Sequence, residues 1–340
     1  MGRQQYSSSG RTQCQIQRVC LKLVMNNQTS MPEFLLLGFS DIWELQILHF
    51  TAFLGVYLAA LIGNLLIIIV VAFDRQLHTP MYFFLVNLSF LDLCYISVTV
   101  PKSMANSLMD SRTISFSGCV TQLFLVVTFA ITELALLTVM AYDRYVAICH
   151  PLHYRILMNK GRCAQMAAGA WLSSMMCAVI HTGNTFRLRF CRSNMVGQFF
   201  CNIPQLLKLS CGDTRVNDIV MLVLGSVSAV SCFVFIFVSY IHIFFTVMRI
   251  PSKQGRYKAF STCLPHLIVF CLFLGTSTLT YMGPRSKSSK ALDLVAAIFY
   301  SVVPPTVNPI IYSLRNNEIR GALRKMLIAH QPGPICIRWI

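Results

Sequence analysis

Charge is scarce in this sequence. Only 12% of its 340 residues are Asp, Glu, Lys or Arg, about half the share of an ordinary globular domain. A soluble fold of this length would carry more. Glycine-rich phosphate loops and paired CxxC spacings are also missing, which removes phosphate cradles and structural zinc from consideration. No internal repeat, low-complexity tract, soluble domain or nucleophile–base pair stands out. His150 and His153 lie close together, but in a basic loop without carboxylate or cysteine partners, and read as solvated residues; no metal site follows. Residues 1–24 hold four basic residues and no apolar core long enough for a secretory signal, so the first apolar run has to serve as its own insertion signal.

Apolar residues fill the space that charge leaves. They make up 55% of the chain, mean hydropathy is +0.62, and they gather into runs of about 20 or more, enough to cross a hydrocarbon core about 30 Å thick. Seven such spans are expected: Leu48 to Ala72, Met81 to Met104, Cys119 to Cys149, Cys163 to His181, Ile219 to Met248, Ala259 to Met282, and Leu292 to Leu314. The fold class is therefore an all-α membrane protein, a seven-helix transmembrane bundle. Residues 1–47 form the N-terminal segment, 48–314 the bundle and 315–340 the tail. Pro80 suits a first helical position. Pro265, Pro304, Pro305 and Pro309 fall inside spans, where neighbouring helices and waters can satisfy the carbonyls they free. In the tail, Arg315 to Leu327 reads as an amphipathic helix, with Ile319, Leu323, Met326 and Leu327 against Arg320, Arg324 and Lys325, suited to lie on membrane lipid at the cytoplasmic surface.

The formal charge of +16 comes from basic residues between the spans rather than from a stripe on a soluble face. It points to membrane topology and not to nucleic acid. With the N-terminus outside, the 28 Lys and Arg divide 14 against 14. Leaving out residues 1–24 and the long loop from Gly183 to Asn217 gives 14 inside against 5 outside, which favours N-out, because long translocated segments weigh little. The sequon Asn27-Gln28-Thr29 and the cysteines of the long loop agree, since glycosylation and disulfides need the oxidising side.

Ionisable residues inside spans cost roughly 2.5–3.5 kcal/mol each at mid-membrane, so each needs a reason. Asp92 and Glu133 lie midway along spans two and three, with Asn64 and Asn308 in spans one and seven. Together they suggest an inner polar cluster, either a sodium or proton site that switches with state or a hydrogen-bonded packing network. Two carboxylates at one depth require a cation or a shared proton. Asp143-Arg144-Tyr145 closes span three before a short basic loop. Cys119, Cys191, Cys201 and Cys211 fall on the outer side and allow three pairings.

Met140 to Tyr154 (MAYDRYVAICHPLHY) resembles the signature of vertebrate olfactory receptors, within the rhodopsin-like G-protein-coupled class. Leu77 to Leu93, Lys258 to Leu267, Pro304 to Asn316 and Glu33 to Ser40 resemble further family motifs in the same order, covering about residues 25–328. The pair Leu264-Pro265 resembles the fourteenth olfactory family. The resemblance implies disulfides Cys119–Cys201 and Cys191–Cys211. It implies an ionic switch at Asp143 and Arg144, activation roles for Asn308, Pro309 and Tyr312, and Tyr240 meeting the region of Arg144 in the active state. Asp92 and Glu133 would face an inner ion site, with sodium as the candidate ion and no other cofactor. It further implies a plasma-membrane receptor for small volatile odorants, acting through the stimulatory olfactory G protein and cAMP. Its ligand positions would be Val126, Val127, Ala130, Ile131, Leu224, Ser228, Ser277, Thr278, Tyr281 and Ile298, an apolar set with a few hydroxyls and no ionisable partner.

Four features depart from the family pattern. Residues 1–24 precede the usual start near Met25. The loop around Cys201 reads Gln198-Phe199-Phe200-Cys201-Asn202, without the histidine and acid expected for metal-assisted odorant binding. Leu274, after Phe273, stands at the aromatic toggle of span six. The tail ending in Cys336 and Trp339 is extended, with Cys336 a candidate for palmitoylation. Among other classes, a transporter should show repeat symmetry or paired broken helices, a channel a polar pore face, and an enzyme a catalytic pair; none of these is evident.

Overall fold

The computed structural model describes residues 33–38, 42–109, 112–191, 193–281, 290–315 and 317–329. Asn27, Cys336 and the 1–24 extension lie outside that set. Among the described residues, seven helices are long and apolar enough to cross a membrane. They are α1 (Trp43–Phe73), α2 (Pro80–Met109), α3 (Phe116–Cys149), α4 (Lys160–Phe186), α5 (Arg215–Met248), α6 (Lys253–Tyr281) and a seventh built from α7 (Lys290–Ser301) and α8 (Val303–Arg315). Most start earlier or end later than the apolar runs. Gly183, expected in the long loop, belongs to α4. Polar residues at span ends keep the helical backbone bonded while leaving hydrocarbon, so hydropathy marks the membrane and not the helix.

Local signals set the ends. Pro80 opens α2, where its missing N–H costs nothing. Ser115 caps α3 by accepting from the Gly118 amide at 3.1 Å, and Asn159 caps α4 by accepting from Arg162 at 2.9 Å. The seventh span, expected as one run, breaks at Val302. Pro304 and Pro305 follow at the start of the next helix, and neither has an N–H to bond the carbonyls of Tyr300 and Ser301.

α3 runs through the centre, packed against α2, α4, α5 and α6, while α1 packs on α2 and α8. Helix α9 (Asn317–Ala329) follows the seventh span. Ile319 and Ala322 are buried and Leu323 and Met326 pack on the main core, while Arg320, Arg324 and Lys325 are exposed. It begins two residues later than the pattern suggested.

Helices do not account for the whole fold. A three-stranded sheet covers the end of the bundle that carries the disulfides. β1 (Glu33–Leu36) lies between β2 (Thr113–Ser115), antiparallel, and β3 (Met195–Val196), parallel. Alternation along β1 turns Phe34 and Leu36 inward, to 0% and 2% exposure. Cys119 bonds Cys201 and Cys191 bonds Cys211, with Cα separations of 5.6 and 5.7 Å. The first bridge pins the segment with the short helix Ile203–Leu209 to the first turn of α3.

Candidate functional site

Three layers of side chains stack along the bundle. At the disulfide end, neighbouring positions of α3 face two different clusters. Val126 is buried in the main core with Ala130 and Ile298 packed nearby. Val127 joins a second cluster with Phe34, Leu36 and Leu206, and Ile131 packs on it. The spacing i, i+4 explains each pairing. Leu224 and Ser228 are half-buried on α5, and Thr278 is exposed on α6. The Ser228 hydroxyl donates to the Leu224 carbonyl at 2.6 Å and that of Thr278 to Leu274 at 2.7 Å. Both protons are thus committed, leaving lone pairs that can only accept. Ser277 differs: its buried Oγ has no partner, so it can both donate and accept. The side chain of Tyr281 lies outside the described residues.

Gln122 stands near this layer and was not among the expected positions. Its Nε2 donates to Val98 at 2.9 Å, and its Oε1 accepts the Cys201 amide at 2.8 Å. One buried amide thereby ties α2 and α3 to the bridged loop. A lone amide one turn after Cys119 in an apolar run was the available signal.

The middle layer is polar and buried. Asn308 donates to Asp92 at 3.1 Å, and Glu133 sits beside both. Asp92 is 1% exposed, Glu133 4% and Asn308 2%. Asp92 Oδ1, Glu133 Oε1 and Asn308 Oδ1 are buried without hydrogen-bond donors. Three acceptor oxygens, two of them from carboxylates, are a donor set that fits a hard cation. Asn64 serves another purpose. Its Nδ2 donates to Pro305 O at 2.9 Å, the carbonyl that would bond the amide of residue 309 in an ordinary helix. Residue 309 is proline and has no N–H. Gly63 makes room for this approach, since an added Cβ would lie 3.0 Å from Pro309 Cβ.

The layer opposite the disulfides holds Asp143, fully buried. Its carboxylate accepts from Arg144 Nε at 2.9 Å and from Arg144 Nη2. It also accepts from the Tyr154 hydroxyl at 2.8 Å. Burial and the neighbouring carboxylate push the Tyr154 phenol above its usual value, so it remains a donor. Next to this pair, His266 fastens α6. Its Nε2 lies 2.8 Å from the Leu137 carbonyl, which can only accept, so Nε2 carries the proton. In the neutral ring Nδ1 then accepts from the Tyr240 hydroxyl at 2.7 Å. His266 joins α6 to both α3 and α5. It lies within the motif Lys258 to Leu267 but was not singled out there. Tyr145, expected in this layer, has its hydroxyl 3.0 Å from His150 Nε2. A cleft of about 400 Å³ including its mouth opens here, lined by Met81, Leu85, Met140, Arg144, Thr262, Pro265, His266 and Tyr312. Tyr312 presents a buried hydroxyl without a partner.

Comparison with known proteins adds family context. Residues 53–330 match the olfactory receptor family model. The chain is 53% identical to human olfactory receptor 14C36 over 303 residues, covering 89% of this chain and 97% of that protein. It is 55% identical to human olfactory receptor 14I1 over 304 residues, covering 89% and 98%. The crystal structure of squid rhodopsin superposes with a TM-score of 0.66 at 19% identity, over 83% of this chain and 85% of that one.

Proposed function

The chain belongs to the olfactory receptor family, and from that premise we propose that it binds small, largely apolar volatiles within the bundle and activates a stimulatory heterotrimeric G protein, raising cAMP. It is a multi-pass membrane receptor and not an enzyme. In this reading it sits in the plasma membrane with the N-terminus outside, glycosylated at Asn27, and α9 lies on cytoplasmic lipid. Odorants contact positions from the set Val126, Val127, Ala130, Ile131, Leu224, Ser228, Ser277, Thr278, Tyr281 and Ile298.

The observation that carries the signalling half is the fastening of Arg144. Asp143 holds the guanidinium beside a cleft, and the Tyr240–His266–Leu137 bonds hold α6 against α3 and α5. A G protein needs α6 to swing away and Arg144 to be released. Both events break bonds at one place, so the element has two arrangements that a ligand can bias. Tyr240, Asn308, Pro309 and Tyr312 re-pair as α6 and α8 move. Sodium at Asp92 and Glu133 would favour the fastened arrangement by satisfying oxygens that otherwise lack donors.

The test is cAMP in cells co-expressing the olfactory G protein, across a panel of uncharged volatiles, with Arg144→Ala alongside. A ligand-dependent rise, abolished in the variant at equal surface expression, is the expected result. Silence across the panel despite confirmed surface expression would argue against it.

A further inference from the structure

Over α3, the disulfide end of the bundle is covered by packed side chains. Phe34 and Leu36 of β1 are buried in one cluster with Cys119, Cys201, Leu206 and the candidate ligand position Val127. Two disulfides and the short helix Ile203–Leu209 hold that cover in place. A molecule arriving from water above Val127 meets packed side chains.

The flank between α5 and α6 is different. On α5 the buried positions Ile236, Ser239, Ile243 and Val247 follow helical spacing, yet from Asp218 to Phe235 no residue is buried. The two helices are joined at Tyr240–His266, 2.7 Å apart, and at the Phe233–Phe270 ring pair, 6.3 Å apart. The same stripes continue towards the disulfide end. On α5, Tyr240 and Phe233 lead at near-integral turns to Ala229 and Leu222, and on α6 His266 and Phe270 lead to Ser277. Beyond the ring pair the α5 stripe lies open. Leu222 is 58% exposed; Gly225, in helical phase with the buried Ile236, is itself exposed, and a Cβ added there would meet no neighbouring atom within 4 Å. No Asp, Glu, Lys, Arg or His occurs on α5 between Asp218 and His242, so the flank presents a mostly apolar face to hydrocarbon. It leads directly to Ser277, whose buried hydroxyl has no partner.

Resting on the reading that the ligands are apolar, we propose that they reach the bundle sideways from the bilayer, through this seam above the Phe233–Phe270 pair, and not through the aqueous mouth. The bilayer concentrates apolar molecules by a free energy proportional to the apolar surface they bury and excludes charged ones. Selection by partitioning would thus precede selection by contact.

The route can be tested without an odorant. The full chain carrying Ser277→Cys is placed in lipid nanodiscs, with both aqueous faces open, and the rate of modification at that position is followed by peptide mass. N-ethylmaleimide, uncharged, is compared with a trimethylammonium methanethiosulfonate, each normalised to its rate with glutathione. The introduced thiol should react with the uncharged reagent roughly a hundredfold faster than with the charged one. Adding Gly225→Trp, which fills open space, should slow the uncharged reagent roughly tenfold. Equal normalised rates, or no slowing by Gly225→Trp, would overturn the lateral route. Should Ser277→Cys fail to fold, Ser228→Cys on the facing helix is read in the same way. Because no odorant is present, a silent volatile panel would refute the ligand reading and leave this result standing.

Discussion

Replacing Asn64 by alanine isolates one bond whose value depends on a residue 245 positions away. Asn64 donates to Pro305 O at 2.9 Å and to Ala60 O at 3.0 Å. Ala60 O also accepts within its own helix, so losing the second bond costs little. Pro305 O has no helical donor, because Pro309 lacks an N–H, and the site is fully buried. An unsatisfied buried carbonyl costs about 1–3 kcal/mol. Asn64→Ala should therefore destabilise by about 2 kcal/mol, a fall in melting midpoint on the order of 5 °C. Pro309→Ala restores an amide opposite Pro305 O. In that background the same Asn64→Ala change should cost less, by about 1 kcal/mol, which a double-mutant cycle reads directly. The assay is thermal unfolding in detergent micelles followed with a thiol-reactive dye, on all four chains of the cycle. Equal losses in both backgrounds would show that Asn64 does not serve the carbonyl freed by proline.

Asp143→Asn keeps the shape but removes the charge that holds Arg144; basal nucleotide exchange should rise about fivefold or more, as a loss of about 1 kcal/mol gives. An unchanged basal rate at equal expression would contradict this. Tyr240→Phe deletes one hydroxyl donor to His266, and a basal rise of similar size, about 1 kcal/mol worth, is expected; a fall with intact folding would show that the bond belongs to the active arrangement. Replacing sodium by choline in the buffer should raise basal exchange, and Asp92→Asn should abolish that response. Sodium sensitivity that survives Asp92→Asn would remove the ion from the inner cluster.

Much of the bundle was legible because membrane burial leaves a local signature, seven apolar runs with charge between them. The amphipathic α9 was legible for the same reason, since Ile319, Leu323 and Met326 recur at helical spacing. The sheet was not. β1 has four residues and its partners three and two, and strands so short form only through distant pairing that no local pattern records. The break at Val302 was present as Pro304-Pro305, yet its position depends on which carbonyls find other donors. The candidate site divides in the same way. Asp92, Glu133, Asp143 and Arg144 stand out because charge in hydrocarbon is costly. Gln122 works through a backbone carbonyl and a backbone amide, and His266 through a backbone carbonyl and the Tyr240 hydroxyl, pairings visible only once the helices are placed together.

The central claim is that ligand binding in the bundle unfastens Arg144 for a G protein. Nucleotide exchange on a purified stimulatory G protein measures it most directly, with the receptor in nanodiscs and a volatile that raises cAMP in cells. Exchange should accelerate with the volatile for the native chain and stay at the basal rate for Arg144→Ala that still binds it. Acceleration that persists in Arg144→Ala, or none in the native chain with ligand bound, would contradict the mechanism.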